Sequence, residues 1–280
     1  MIASQIVVWF SFFGLVGWLF ESTYCSIVEK CWCNRGFLFG PICPIYGVGA
    51  VGALAVFGNP VVSAALPPAW AIFLVCAVGA SAIEWVTSVG MEKAFGTVWW
   101  DYSDLPLNLD GRICVPAAMC FGVGGLAIVY VALPLVRAVN AAVDPLTFEV
   151  AALVLMALLA ADTTLAVCAL TEVLAAVERV QGNFDSRVQG ALESGAEKAE
   201  QLRDTSAEAV GRVRETGAEA VDRLRDTRDD YAERLRDVAS HMSGRHQHIL
   251  YNMKRFHTKK LKGTAARLVA ALDNLKKDKQ

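Results

Sequence analysis

Five charged side chains in unusual surroundings are the best candidates for chemistry in this sequence. Glu21, Glu84 and Asp162 lie inside long apolar runs, whereas Arg35 and Arg112 lie in the connections that follow the two glutamates. An isolated charge is costly in an apolar environment, so each carboxylate should face protein, be paired or be protonated. We therefore expect two ion-paired sites, formed by the two glutamates with the two arginines, although the sequence does not indicate which glutamate meets which arginine.

The acidic residues also have simpler interpretations. Glu21 lies near the end of its apolar run, and its flexible side chain could reach polar surroundings. Asp162 lies near the centre of its run and could bind a proton or a cation, or it could be a protonated side chain hydrogen-bonded between helices. The sequence leaves these alternatives open.

The sequence contains no recognisable set of catalytic, nucleotide-binding or metal-binding residues. It lacks GxxxxGK[ST], HExxH and GxSxG, and no base, nucleophile and oxyanion donors occur together. Cys31, Cys33, Cys43 and Cys114 could supply four thiolates, but their spacing is not that of a standard zinc site. We expect no enzymatic activity, no cofactor and no metal.

Two connections share one residue pattern. In each, a Glu inside an apolar run is followed eight residues later by Glu-Lys, then by Asn, Arg and Gly, and then by Cys and Pro. The pattern predicts a divergent tandem repeat whose units are helix, elaborated loop and helix. The first loop, NRGFLFGPICPIYG, is too apolar for an exposed connection and too rich in Gly and Pro for a helix, which favours a re-entrant hairpin over a rigid interfacial turn.

Five apolar runs are each long enough to cross a membrane, since about 20 apolar residues span a hydrocarbon core ~30 Å thick. The runs are Ser4 to Val28, Ile45 to Leu66, Ala69 to Met91, Cys114 to Val136 and Thr147 to Thr171. The sequence therefore predicts an all-α protein with about five transmembrane helices, embedded in the lipid bilayer of a cell membrane.

The basic residues of the apolar half indicate an orientation. If the amino terminus is outside the cell, Arg137 alone lies outside, and the remaining basic residues lie inside, as the positive-inside rule requires. Those residues are Lys30, Arg35, Lys93, Arg112 and Arg179. The two loops and the C-terminal tail then share the cytoplasmic side. The first run is too long for a signal peptide and lacks a basic n-region.

The chain changes character near residue 180, since the part that follows holds 20 of the 26 Lys and Arg residues. An eleven-residue repeat runs from Ala196 to Ala239, with Leu202, Val213, Leu224 and Leu235 at equivalent positions. This period predicts a long charged helix that forms a weak oligomeric coil or binds a partner.

The last part, Ser240 to Gln280, predicts a basic amphipathic helix that could bind anionic lipid headgroups. No motif indicates nucleic-acid binding. We divide the chain into a transmembrane domain (1–180), a repeat segment (181–239) and a basic helix (240–280).

Residues 5 to 137 resemble a known bacterial family. The stretches NRGFLFGPICPIYG, EWVTSVGMEK, WWDYSDLPLN and LDGRICVP are similar to motifs of the ABC-transporter type IV permeases, the CmpB-like membrane proteins. The resemblance implies a permease-like membrane subunit, with a separate ATP-binding subunit for any ATP-driven role. The motif positions in this sequence are Glu21, Asn34, Arg35, Gly36, Gly40, Pro41, Pro44, Tyr46, Gly47, Glu84, Trp100, Asp101, Tyr102, Asn108, Gly111 and Arg112.

Two functions are consistent with these observations. The first is a transporter subunit in which Glu21, Glu84 and Asp162 line a polar pathway that the two cytoplasmic loops gate. The alternative is a non-enzymatic membrane scaffold or signalling protein whose helical tail recruits partners or anionic lipid. Either protein could form a homo-oligomer, and the sequence identifies neither a solute nor an energy source.

Overall fold

The computed structural model describes residues 2–202, 209–256 and 259–277. Most of its elements are helices, so the predicted all-α class is confirmed. In chain order the elements are α1 (Ala3–Glu29), α2 (Pro44–Phe57), α3 (Pro60–Ala64), α4 (Ala69–Phe95), β1 (Thr97–Val98), β2 (Asn108–Leu109), β3 (Ile113–Cys114), α5 (Val115–Ala127), a π-helical turn (Ile128–Ala132), α6 (Leu133–Ala142), α7 (Pro145–Leu202), α8 (Ala209–His241), α9 (Gly244–Asn252), β4 (Arg255–Phe256) and α10 (Lys259–Lys277).

The chain forms two compact units. Unit 1 contains Met1–Ala169 and Tyr251–Phe256, and unit 2 contains Leu170–Leu250 and His257–Gln280. Helix α7 is continuous through residue 180, where the composition changes. The short segment Tyr251–Phe256 lies in the C-terminal part of the sequence, but its contacts place it in unit 1.

Within the described residues, four helical stretches are long and apolar enough to cross a membrane: Ala3–Glu29, Ala69–Phe95, Val115–Ala142 and Pro145–Ser194. The remaining predicted span, Ile45 to Leu66, is divided into α2 and α3 at Gly58 and Asn59. Because α2 has 14 residues, it is only about 21 Å long, which is shorter than a hydrocarbon core. The predicted count of five spanning helices is therefore not confirmed.

Helix α2 packs against the N-terminal half of α1. The backbone N–H of Cys43 donates to the carbonyl of Gly14 at 2.9 Å, so α2 begins near the middle of α1. A Cβ atom on Gly47 would lie 2.5 Å from the carbonyl oxygen of Phe10, and one on Gly17 would lie 2.3 Å from the Tyr46 ring. Glycines therefore permit the close approach of the two helices. Residues 30–43, which we call loop 1, return from the end of α1 to its middle, which is the geometry of a re-entrant segment.

The apolar core of unit 1 is small for its number of apolar residues. It is formed where α1, α2, α4 and the stretch from the π-helical turn to α6 meet, by Trp9, Phe13, Ala50, Leu54, Phe57, Ile72, Val129, Leu133 and Val136. Many large apolar side chains are instead exposed, including Phe20, Val131 and Leu153. Such a surface is unfavourable in water, whereas in a bilayer it faces lipid.

Residues 96–114, which we call loop 2, connect α4 to α5. The left-handed backbone of Gly96 ends α4, and β1 then pairs with β4 of the C-terminal segment. Strands β2 and β3 form a second antiparallel pair, in which Asn108 lies opposite Cys114. Loop 2 is thus an ordered structure rather than a simple turn.

Unit 2 contains the C-terminal part of α7 together with α8 and α10. At its centre, the Tyr231 ring lies 4.5 Å from the Phe184 ring, and the Tyr231 hydroxyl lies 3.0 Å from Thr264 Oγ1. The apolar positions Leu268 and Leu272 of α10 are buried within this unit. The eleven-residue repeats fall on α7 and α8, except that residues 203–208 lie outside the described residues. The repeats and the lipid-binding role of the basic helix stay predictions.

Candidate functional site

Loop 1 descends along α1 and is held there by side chains of that helix. Ser26 Oγ accepts a hydrogen bond from the backbone N–H of Cys33 at 2.9 Å, and Ser22 Oγ accepts one from Arg35 at 3.1 Å. One turn before Ser22, Trp18 Nε1 donates to Asn34 Oδ1 at 2.7 Å. The two serine bonds satisfy backbone donors of the loop, and the Trp18 bond satisfies a side-chain acceptor of the loop. Irregular backbone at membrane depth requires such partners.

Asp162 holds the deep end of loop 1. Its Oδ1 accepts a hydrogen bond from the Phe39 backbone N–H at 3.1 Å, and its Oδ2 accepts one from Gly40 at 2.8 Å. A Cβ atom on Gly40 would lie 2.9 Å from Oδ2, so the absence of a side chain permits this contact. The carboxylate of Asp162 thus binds backbone donors of loop 1, which neither of its two sequence-based interpretations included.

Glu21 and Glu84 each accept a hydrogen bond from a tyrosine. The hydroxyl of Tyr46, in the first turn of α2, donates to Glu21 on α1. The hydroxyl of Tyr102, in loop 2, donates to Glu84 Oε1 on α4 at 2.8 Å. The first turn of α2 therefore brings one tyrosine to Glu21, and loop 2 brings one to Glu84. We call these four residues the carboxyl–tyrosine cluster.

The pKa of the Tyr102 hydroxyl depends on both glutamates of the cluster. Burial raises the pKa of the Tyr102 hydroxyl, and the charges of Glu84 and Glu21 raise it further. Both carboxyl groups therefore act on one hydroxyl group.

Glu84 is the member of the cluster whose side chain is most buried in the protein. The residue is 4% exposed, and its Oε2 is buried without a hydrogen-bond partner among the described residues. A buried carboxyl oxygen without a partner is costly unless a proton, a cation or another polar group satisfies it. This oxygen is therefore the position in unit 1 best suited to bind such a species.

Among the described residues, no ion pair joins Glu21 or Glu84 to Arg35 or Arg112, contrary to our expectation from the sequence. Arg112 instead binds Glu92, and its Nε donates to Asp110 Oδ2 at 2.9 Å. Arg112 Nη1 also donates to Ser88 Oγ at 3.1 Å, and the guanidinium lies 5.7 Å from the centroid of the Trp85 ring. The guanidinium therefore contacts the face of α4 that lies between Glu84 and the loop end, and its ion-pair partner there is Glu92. Burial lowers the pKa of Arg112, but the hydrogen bonds to Glu92 and Asp110 outweigh that effect and raise it.

Arg35 also has a different partner from the expected one. Its Nη1 donates to Asn252 Oδ1 at 3.5 Å, and Asn252 Nδ2 donates to the Asn34 carbonyl oxygen at 3.1 Å. Asn252 follows the repeat segment in sequence, so no spacing pattern near loop 1 predicts this contact.

The remaining motif residues of loop 2 mainly hold its shape. Trp100 Nε1 donates to the Arg112 carbonyl at 3.0 Å, and Asp101 Oδ1 accepts from the Ser103 backbone at 3.1 Å. Asn108 Oδ1 accepts from the backbone N–H of Gly111, whose φ of 64° is left-handed. These bonds fix the positions of Tyr102 and Arg112.

One group of described residues has the composition of a metal site. The Cys31 and Cys33 sulfurs lie 3.8 Å apart, and the Cys33 thiol donates to Glu29 Oε2 at 3.0 Å. Burial and the hydrogen bond to Glu29 raise the pKa of the Cys33 thiol to about 12. Metal binding requires the thiolate, so a cation held by Glu29, Cys31 and Cys33, whose ligand atoms lie within 4.8 Å of one another, would have to displace the thiol proton.

These features define a class: a multi-pass helical membrane protein with buried polar groups and a broken, re-entrant segment. The chain belongs to the family described as "Putative ABC-transporter type IV", whose model matches residues 8–167. The match confirms the resemblance and extends it beyond residue 137 into α7, so that it includes Asp162. No curated protein and no solved structure matches the chain.

Proposed function

We propose that this chain is the membrane subunit of a transporter, and that the carboxyl–tyrosine cluster lines its polar pathway. The observation that carries the proposal is the buried, unpartnered Oε2 of Glu84. Ionisable groups at membrane depth are costly and commonly belong to proton or ion pathways. The hydroxyl groups of Tyr46 and Tyr102 provide further polar atoms between Glu21 and Glu84.

Asp162 has a different role in this proposal. Both of its oxygens bind backbone donors of loop 1. It therefore anchors the re-entrant segment, whereas the pathway predicted from the sequence included it as a lining residue.

The two loops form the gate of the pathway in this proposal. Each loop is tied to one tyrosine of the cluster, since α2 begins directly after loop 1 and Tyr102 lies within loop 2. A movement of either loop therefore changes the environment of one glutamate. The positive-inside rule favours a cytoplasmic loop side and an amino terminus outside. This orientation requires loop 1 and α2 to cross the bilayer together, since α2 alone is too short to span it.

The partners of the proposed subunit follow from its composition. The sequence has no motif for binding ATP phosphates, so an ATP-driven role needs a separate ATP-binding subunit on the cytoplasmic side. Exposed basic side chains of the tail, such as Lys262 and Lys277, are available for anionic headgroups. We assign no catalytic residue.

Proton flux into liposomes tests the proposed pathway. Purified protein is reconstituted into vesicles that contain a pH-sensitive dye, and a potassium diffusion potential drives proton entry. We expect flux above that of protein-free vesicles, and we expect Glu84→Gln to reduce it to the protein-free level. Glu149→Gln, an exposed carboxylate near the start of α7, is the matched control and should retain the flux. Equal flux for the wild-type protein and Glu84→Gln, or no flux for either, contradicts the pathway.

The scaffold alternative is favoured by one observation, since unit 2 lies outside the residues that match the family model. A scaffold would keep its cellular role in a Glu84→Gln variant. It would lose that role when exposed charged side chains of α8, such as Arg225 and Arg236, are replaced by neutral ones. A deletion of residues 183–280 does not separate the two functions cleanly, because it also removes Tyr251–Phe256 from unit 1.

A further inference from the structure

Residues Tyr251–Phe256 occupy an unusual position in the chain, and we call them the clasp segment. Unit 2 precedes and follows them in sequence, yet their contacts place them in unit 1. The matched family residues end at 167, so the segment is outside the part of the chain that the family model describes. Its contacts are with both loops.

The clasp segment binds loop 1 through Asn252. This residue is 4% exposed, and its amide group donates to the Asn34 carbonyl and accepts from Arg35. Lys254 Nζ lies 3.8 Å from Glu29 Oε1, at the point where α1 ends and loop 1 begins. The buried Asn252 amide donates one hydrogen bond to loop 1 and accepts another from it, so both of its polar atoms have a defined partner in that loop.

The clasp segment binds loop 2 through its backbone. Strand β4 pairs with β1, so that Arg255 lies opposite Val98 and Phe256 lies opposite Thr97. The backbone N–H of Lys254 also donates to the Val98 carbonyl at 3.0 Å. Thr97 and Val98 are each 1% exposed, and strand addition of this kind relies on main-chain hydrogen bonds.

We propose that the clasp segment is an intramolecular clasp that fastens loop 1 to loop 2. Asn252 and the Lys254 backbone are two residues apart, so the segment cannot leave one loop and stay in register on the other. The two loops are therefore held or released together. Because unit 2 flanks the segment on both sides, a partner that pulls on unit 2 acts on both loops at once.

The regulatory part of this inference rests on the proposed function, in which the loops gate the pathway. A clasped state restricts loop movement and lowers flux, and release of the clasp segment raises it. The physical coupling between the loops is independent of transport and can be measured without it.

Hydrogen exchange of the full-length protein in nanodiscs tests the coupling from the loop 1 side. Asn252→Ala removes the amide that binds loop 1, and Asn274→Ala, an exposed amide on α10, is the matched control. We expect the backbone amides of residues 97–98 in loop 2 to exchange about tenfold faster in Asn252→Ala, since one net hydrogen bond to a clasp is worth roughly that factor. Faster exchange confined to residues 33–36, with 97–98 unchanged, overturns the clasp.

The reciprocal test starts from loop 2. Lys254→Pro removes the N–H that donates to Val98, whereas Lys254→Ala keeps it and removes only the side chain. We expect the amides of residues 33–36 to exchange faster in the proline variant than in the alanine variant. Equal exchange in the two variants contradicts a backbone-mediated clasp.

Proton flux then separates the regulatory part from the proposed function. If flux depends on Glu84, Asn252→Ala should increase it at least twofold over Asn274→Ala, and unchanged flux overturns the regulatory role. If exchange shows the coupling but Glu84→Gln has wild-type flux, the pathway fails and the clasp remains.

Discussion

The hydroxyl group of Tyr102 donates a hydrogen bond of 2.8 Å to Glu84 Oε1, and the other oxygen of this carboxyl group is buried without a partner among the described residues. Loop 2 thus provides a hydrogen-bond donor for one oxygen of Glu84 but not for the other. Glu21 has a corresponding tyrosine, Tyr46, at the start of α2. The partner of Glu84 is thus supplied by loop 2, and the partner of Glu21 by the helix that directly follows loop 1.

Tyr102→Phe should destabilise the protein by about 1–3 kcal/mol, because it leaves both oxygens of a buried carboxyl group without a donor. Urea unfolding in detergent micelles measures this change. The matched control is Tyr130→Phe, since the Tyr130 side chain is half exposed in the π-helical turn. A loss of stability that is equal in the two variants would show that the hydroxyl of Tyr102 has no special role.

Gly17→Ala should weaken the packing of α2 on α1. The new Cβ would lie 2.3 Å from the Tyr46 ring, so the helices must separate or the ring must move, at a cost of about 1–3 kcal/mol. Because Tyr46 also donates to Glu21, the substitution should disturb the cluster. Gly79→Ala on α4 meets nothing within 4 Å and should be neutral or stabilising by up to about 1 kcal/mol. Thermal unfolding of the two variants compares them directly, and similar melting temperatures would contradict the close contact.

The sequence predicts the helices and the two elaborated loops well, because long apolar runs and clusters of Gly and Pro are local signals. It does not predict the partners of the glutamates. Tyr46 is 25 residues from Glu21, whereas Tyr102 is 18 residues from Glu84, so the sequence pattern shared by the two connections does not align the tyrosines. The expected arginine partners follow a general rule about opposite charges, but Arg112 pairs with Glu92 and Asp110, and Arg35 binds Asn252.

The division of the second span has a local signal that the length of the apolar run outweighed, whereas the clasp segment has none. Ile45 to Leu66 contains Gly58-Asn59-Pro60, in which Asn59 accepts from the Val61 backbone at 2.9 Å and Pro60 occupies the first turn of α3. Asn252 is 218 residues from Asn34, and its neighbours have the composition of an ordinary basic tail. Contacts between residues so distant in sequence depend on the folded loops, which no periodicity describes.

The reactivity of Cys33 should depend on pH and on Glu29. Alkylation requires the thiolate, and the pKa of Cys33 is raised to about 12, so the labelling rate at this residue should keep rising with pH from 7 to beyond 10. Glu29→Gln removes a negative charge and replaces the carboxylate acceptor of the thiol with a weaker, neutral amide oxygen, which lowers the pKa of Cys33 and speeds labelling at pH 8. Glu149→Gln is the control and should have no effect. Mass spectrometry of Cys33 peptides measures the rates, and a rate that levels off near pH 9 would contradict the raised pKa.

Asp162→Ala should release the deep end of loop 1. The substitution removes the acceptors of the Phe39 and Gly40 backbone donors, and each buried donor that is left unsatisfied costs about 1–3 kcal/mol. Because Cys43 lies at the end of the same loop and is 6% exposed, its labelling by a maleimide should increase. Thr163→Ala, at the exposed neighbouring position on α7, is the matched control.

Asp162→Asn is the sharper variant, since its amide keeps the side chain's size but provides one acceptor oxygen instead of two, and it should give an intermediate increase in labelling. If Cys43 of Asp162→Ala is labelled at the wild-type rate, the serines of α1 hold the loop without this carboxylate. If labelling increases from the wild-type protein to Asp162→Asn and again to Asp162→Ala, Asp162 is the anchor of the re-entrant segment.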